Sequence, residues 1–178
     1  LSELLALALG AVALRWTRGR RLRRVYRGAL VVGWFGWWAH ELLALPQGLS
    51  YLLLIAGLSG TGLFALARRG GDVLFRVAAH ATFAGLAGGL AVRWLTLDPD
   101  SLPVLGLAPL AELAVLGLGI AGAQRLRSGT ARRLYRGGGL IGWLAWWAHE
   151  LIPLAHGQAY VSLVWGLTAT GLLAGGAW

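Results

Sequence analysis

The sequence predicts an all-α integral membrane bundle of about seven transmembrane helices, arranged as two parallel three-helix repeats joined by a linking helix. Three observations predict it. The chain has 178 residues, of which 57% are hydrophobic and only 13% charged, about half the charged content of an ordinary soluble domain. Seven apolar runs follow one another along it. Its first 69 residues also recur without a gap 109 positions later, with roughly 30 of the 69 pairs identical.

The runs can be taken in order. The first, 1–14, opens inside apolar sequence with no initiator Met, so the chain is expected to be a piece of a longer protein whose remainder is a partner. The second, 28–45, follows a cluster of arginines and stops at Pro46, which cannot continue a helix. Gln47-Gly48 then turns the chain into the third, 49–67, which Arg68 and Arg69 close. The fourth, 77–95, is the linking helix, and the fifth, 104–123, begins the second copy's apolar sequence. The sixth, 137–154, carries Pro153 near its end, and the turn His156-Gly157-Gln158 leads to the seventh, 159–178. Apart from the first, each run has about 18–20 residues, enough for a helix to cross a hydrocarbon core of about 30 Å. Period-2 alternation is missing, which argues against a β-barrel.

The duplication is densest where Gly33-Trp34-Phe35-Gly36-Trp37-Trp38-Ala39-His40-Glu41-Leu42 is matched by Gly142-Trp143-Leu144-Ala145-Trp146-Trp147-Ala148-His149-Glu150-Leu151. One period of 109 residues contains four crossings, so both copies (1–69 and 110–178) enter the membrane in the same direction. The placement of charge tests the count. Of sixteen arginines, fifteen lie in the first, third and fifth connections, and only Arg93 lies toward the other side. The positive-inside rule then puts the basic loops in the cytoplasm and the start of the chain outside, in a bacterial inner membrane. The formal charge of +9 is therefore topological. It suggests anionic lipid headgroups as partners at the arginine loops, and not nucleic acid.

Ionisable groups inside the spans are costly, and they mark where function is to be sought. Counted at 1.5 Å per residue from the basic ends, Glu3, His40, Glu41, Glu112, His149 and Glu150 lie about 20 Å deep and Arg93 about 25 Å. The sequence thus predicts one polar layer in the outer third of the membrane. Trp34, Trp37, Trp38 and Glu41 share a helix face, as do Trp143, Trp146, Trp147 and Glu150. The tryptophans lie too deep for an interfacial belt and are expected to line a helix contact or a cavity. Tyr51 and Tyr160 are the expected interface anchors. Gly85/Gly89, Gly171/Gly175, Gly57/Thr61 and Gly166/Thr170 have the spacing that lets helices approach closely.

Several chemistries are excluded or unsupported. Without Cys there are no disulfides, thiol nucleophiles or thiolate metal sites, and without Lys there is no Schiff base. Each His-Glu pair lacks the second histidine of a zinc-protease helix, and no serine has a nucleophile-elbow context. No enzyme activity, metal or cofactor is expected. The first reading is a structural or ligand-accommodating module; the alternative is a proton- or ion-coupled transporter core, and the third is a metal- or haem-dependent enzyme using His40 and His149.

The helix Val161-Ser162-Leu163-Val164-Trp165-Gly166-Leu167, the turn Arg68-Arg69-Gly70-Gly71-Asp72 and the following Arg76…His80 segment resemble large multi-pass bacterial membrane proteins of a domain-of-unknown-function family. The resemblance implies a membrane location and brings no substrate or catalytic residue. The duplicated Trp-Trp-Ala-His-Glu block is not part of it.

Overall fold

The structure, a computed structural model, describes residues 2–16, 19–96, 106–126 and 128–174. These residues form an all-α bundle with no strand: α1 (Ser2–Trp16), α2 (Arg20–Leu43), α3 (Gly48–Gly70), α4 (Val73–Thr96), α5 (Leu107–Ala123), α6 (Gly129–Leu151) and α7 (Gly157–Ala174). Each expected run holds one helix. The helices extend beyond the runs at their basic ends, so that Arg20, Arg21, Arg23, Arg24 and Arg27 belong to α2, and Arg132, Arg133 and Arg136 to α6. Arginine is a good helix former, so the helical hydrogen bonds continue through these residues.

The centre of the bundle is α3, packed on α4 and α5, with α1–α2 attached on one side and α6–α7 on the other. Buried Leu53, Leu63 and Phe64 of α3, Phe83, Leu86 and Leu90 of α4, and Val115 of α5 make the core. Phe83 fixes α4: a Cβ at Gly60 would lie 2.9 Å from its ring, and one at Gly119 would lie 3.6 Å from it. The ring therefore fills a notch that only glycines leave open. Phe64 stacks on Phe83 at 5.8 Å, and Tyr135 stands edge-on to both.

Contacts recur at the 109-residue offset. Gly33 of α2 seats Leu7 of α1, and Gly142 of α6 seats Leu116 of α5, with Cβ-to-Cδ2 separations of 2.9 and 2.7 Å. One seat is built differently in the two copies. Leu30 fills the space over Gly10 in the first, whereas Ile120 fills the space over Gly139 in the second. The turns match as well: Gln47 and His156 both adopt positive φ, 60° and 65°, just before a glycine that starts the next helix.

Some expected glycine contacts are absent. Gly85, Gly89 and Gly171 face open space, and Gly175 lies outside the described residues. Gly166 faces open space too, whereas the expected Gly57/Thr61 pair does meet α5, and close approach is otherwise carried by Gly60, Gly122, Gly139 and Gly142, because Phe83 turns the opposite face of α4 toward α3. Two helices, α3 and α4, are long and apolar enough to cross a membrane, and α5 is apolar over 17 residues. The first turns of α2 and α6 hold the arginines, which lowers their hydropathy. Large apolar side chains nevertheless stand exposed on all seven helices, among them Leu9, Val32, Leu58, Val92, Leu110, Ile141 and Leu167.

Candidate functional site

The best-defined polar feature joins the ends of α4 and α5. Glu112 is the sixth residue of α5, in its second turn, and only 1% exposed. Its Oε1 accepts a hydrogen bond from Arg93 Nε, and its Oε2 accepts one from Trp94 Nε1 at 2.7 Å. Both carboxylate oxygens thus have charged or polar donors. Consecutive residues on one helix reach a single side chain on the next. Of the predicted layer, Arg93 and Glu112 are thus brought together.

The other members are dispersed. Glu150 is buried at 2% exposure, whereas its repeat equivalent Glu41 is exposed. His149 lines a groove beside Trp94, while His40 is exposed on α2. The helices α2 and α6 do not pack on one another, so the two His-Glu pairs stay apart. The side chain of Glu3 lies outside the described residues, as do Asp98 and Asp100. Among the described residues, no group of three or more His, Asp or Glu is placed to hold a metal ion.

The tryptophans form two equivalent triads. Trp34 stands edge-on to Trp38 at 5.7 Å, and Trp143 edge-on to Trp147 at 5.5 Å. The leading tryptophan of each triad ties its helix to the next: Trp34 Nε1 donates to Ser59 Oγ at 2.9 Å, and Trp143 Nε1 donates to Thr168 Oγ1 at 3.3 Å. The indole N–H groups of Trp37, Trp38, Trp146 and Trp147 are buried with no acceptor among the described residues. The stripe thus serves helix contacts, with four donors left over.

An apolar groove runs along α5 between α4 and α6. Its outer part, about 780 Å³, is lined by Trp94, Leu116, Ala145 and His149. Its inner part, about 410 Å³, reaches His80 and Tyr135, whose Nδ1 and hydroxyl lie 2.9 Å apart. Beyond it, Arg68, Arg76 and Arg125 line a basic cleft of about 180 Å³ with Ser128. Asp72, at the edge of this cleft, pairs with Arg27, and its Oδ1 accepts from Leu74 N–H at 2.9 Å at the start of α4.

Sequence reasoning missed Trp94, Asp72 and Tyr135 as polar partners. Trp94 was detectable as the neighbour of the lone outer arginine, and Tyr135 as part of the duplicated Arg-x-Tyr-Arg-Gly. Replacing Trp94 with Phe keeps the ring and removes one of two donors to a buried carboxylate. We expect a loss of about 1.5–3 kcal/mol, read from thermal unfolding of the purified protein. An unchanged midpoint would show that this bond contributes nothing.

Compared with protein-family models, curated proteins and solved structures, the chain matches none. Its function is therefore read from its own residues.

Proposed function

We propose that the chain is a multi-pass membrane module of structural, ligand-accommodating type, in which seven helices cross the bilayer as two parallel three-helix repeats around α4. The observation that carries this reading is the inverted distribution of polarity. The ion pair Arg93–Glu112 sits inside, while the perimeter exposes large apolar side chains on every helix, up to 85% for Leu95 and 84% for Leu173. Soluble monomers rarely expose contiguous apolar patches beyond a few hundred Å². A bilayer removes that cost, and the arginines of α2, α3 and α6 gather where a membrane protein keeps them, on the cytoplasmic side.

Three further observations support the structural role. Glu112 has both oxygens engaged, which suits a fixed clasp better than a proton relay. Glu41 and Glu150, the alternative relay pair, differ in burial and stand on helices that do not meet. The groove beside α5 is mostly apolar, so in a bilayer a lipid chain fills it, and the basic cleft below suits the phosphate of an anionic headgroup.

The test uses the chain's lack of cysteine. Single cysteines at Leu22 and Gln47, both exposed positions, should be labelled from opposite sides of sealed vesicles by a membrane-impermeant maleimide, and the protein should stay in the membrane through alkaline carbonate extraction. Release by carbonate, or labelling of both positions from one side, would overturn the reading. Under the transporter alternative, Glu41→Gln with Glu150→Gln abolishes transport while the fold persists.

A further inference from the structure

The most extensive helix contact in the fold is α3 on α5, and it is made by two complementary faces. A Cβ at Gly57 of α3 would lie 3.1 Å from Leu118 Cδ1 and 3.3 Å from Val115 Cγ2, and a Cβ at Gly122 of α5 would lie 3.1 Å from Phe64 Cδ2. Thr61 donates its hydroxyl to the Leu118 carbonyl oxygen at 3.3 Å, besides its own-helix acceptor Gly57 O at 3.0 Å. The partners advance together, from Gly57 with Val115 to Phe64 with Gly122, so the two helices run parallel.

The 109-residue duplication makes the α3 face a second time and the α5 face in part. The α3 face recurs on α7 as Gly166, Thr170 and Leu173, with Leu173 in place of Phe64, and Leu118 of the α5 face recurs on α1 as Leu9, with Ala6 and Ala13 in place of Val115 and Gly122. Thr170 already makes the own-helix bond of its counterpart, donating to Gly166 O at 2.9 Å. These second faces are not joined to each other. Nothing lies within 4 Å of a Cβ at Gly166, and Leu173 and Leu9 are 84% and 61% exposed. A closed two-fold relation between the repeats would pair α7 with α1 as it pairs α3 with α5. The repeats are instead related head to tail, which leaves one face of each kind at opposite ends of the bundle.

We propose that α7 of one copy docks on α1 of a second copy of this chain, in the parallel register by which α3 holds α5. Gly166 then seats Leu9, and Thr170 gains the Leu9 carbonyl oxygen as its second acceptor. Because all four helices of this kind run in the same direction, neighbouring copies share one orientation, and the contact generates a ring or a row. The docking goes beyond the membrane reading and does not depend on it; carbonate extraction reports on that reading separately.

The test again starts from the cysteine-free chain. Leu9→Cys and Gly166→Cys are placed on two differently tagged copies, which are coexpressed and treated with a short bifunctional maleimide before purification. Gly57→Cys/Leu118→Cys within one chain is the reference for the yield that the α3–α5 geometry allows. The expected result is a heterodimer in a yield comparable to the reference and several-fold above self-linking of either single variant. The doubly substituted chain should give a ladder of multimers or one closed species. Three outcomes overturn the proposal: no heterodimer when the reference links, which would assign the faces to further helices or another partner; Leu9→Cys self-linking as efficiently as the mixed pair, which would mean a two-fold contact; or failure of the reference itself.

Discussion

Replacing Glu112 with alanine should lower the unfolding free energy by about 3–5 kcal/mol, the largest effect of any single polar change in this chain. The cost has two parts. Arg93, whose side chain is 16% exposed, loses its ion pair with Glu112 in a low-dielectric setting, and the Trp94 N–H loses its carboxylate acceptor. Arg93 stands three residues from the end of α4, so it can turn its head toward the helix end, which sets the lower bound of the range. Glu112→Gln should cost less, because the amide oxygen still accepts one bond. Arg93→Met with Glu112→Leu should recover a large part of the loss, since an apolar pair of similar volume carries no desolvation penalty. Thermal or denaturant unfolding in a mild detergent measures all three. A loss below about 1 kcal/mol for Glu112→Ala would show the clasp to be no more than a surface ion pair.

The second large effect is steric and should appear twice. A Cβ on Gly48 would overlap the carbonyl oxygen of Leu42, and a Cβ on Gly157 would overlap that of Leu151. Both obstacles are backbone atoms held by matching turns. In the first turn Leu45 N–H donates to Leu42 O, and Gly48 N–H to Leu45 O, at 2.9 Å each. In the second, Leu154 N–H donates to Leu151 O at 3.0 Å, and Gly157 N–H to Leu154 O at 2.8 Å. Alanine can fit only if the turn opens and those bonds break, so Gly48→Ala and Gly157→Ala should each destabilise by about 3 kcal/mol or more, at the upper end of overpacking costs. Gly62→Ala and Gly85→Ala are the controls. Nothing lies within 4 Å of a Cβ at either mid-helix position, so these changes should be neutral or stabilise by up to about 1 kcal/mol. Equal effects at all four positions would mean that the two turns are not closed as described.

Much of the fold was legible before any coordinates. The runs 28–45, 49–67 and 77–95 each hold one helix because helix length in this chain is punctuated by residues that stop or turn a chain, such as Pro46-Gln47-Gly48 and Gly70-Gly71-Asp72. The equivalent tryptophan bonds to Ser59 and Thr168 follow from the duplication itself, since both donor and acceptor recur at one offset. The polar layer was legible only as a list of residues at similar depth. Depth along a helix comes from counting residues, but which helix stands beside which does not.

That distinction explains the individual outcomes. Glu41 and Glu150 have identical immediate neighbours in sequence, yet one is exposed and the other buried, and α6 packs more extensively on α5 than α2 does on α1. Glu112 pairs with Arg93 because Phe83, lodged between Gly60 and Gly119, holds α4 against α3 and within reach of α5. The sequence by itself determined the all-α class, the number of helices among the described residues and the 109-residue duplication, since composition, apolar periodicity and repetition are properties of the chain read along its length. Only the tertiary structure decided which buried charge meets which, where glycines admit a neighbour and which faces remain open. Those outcomes depend on side chains far apart in sequence competing for the same space, and no single helix carries that information.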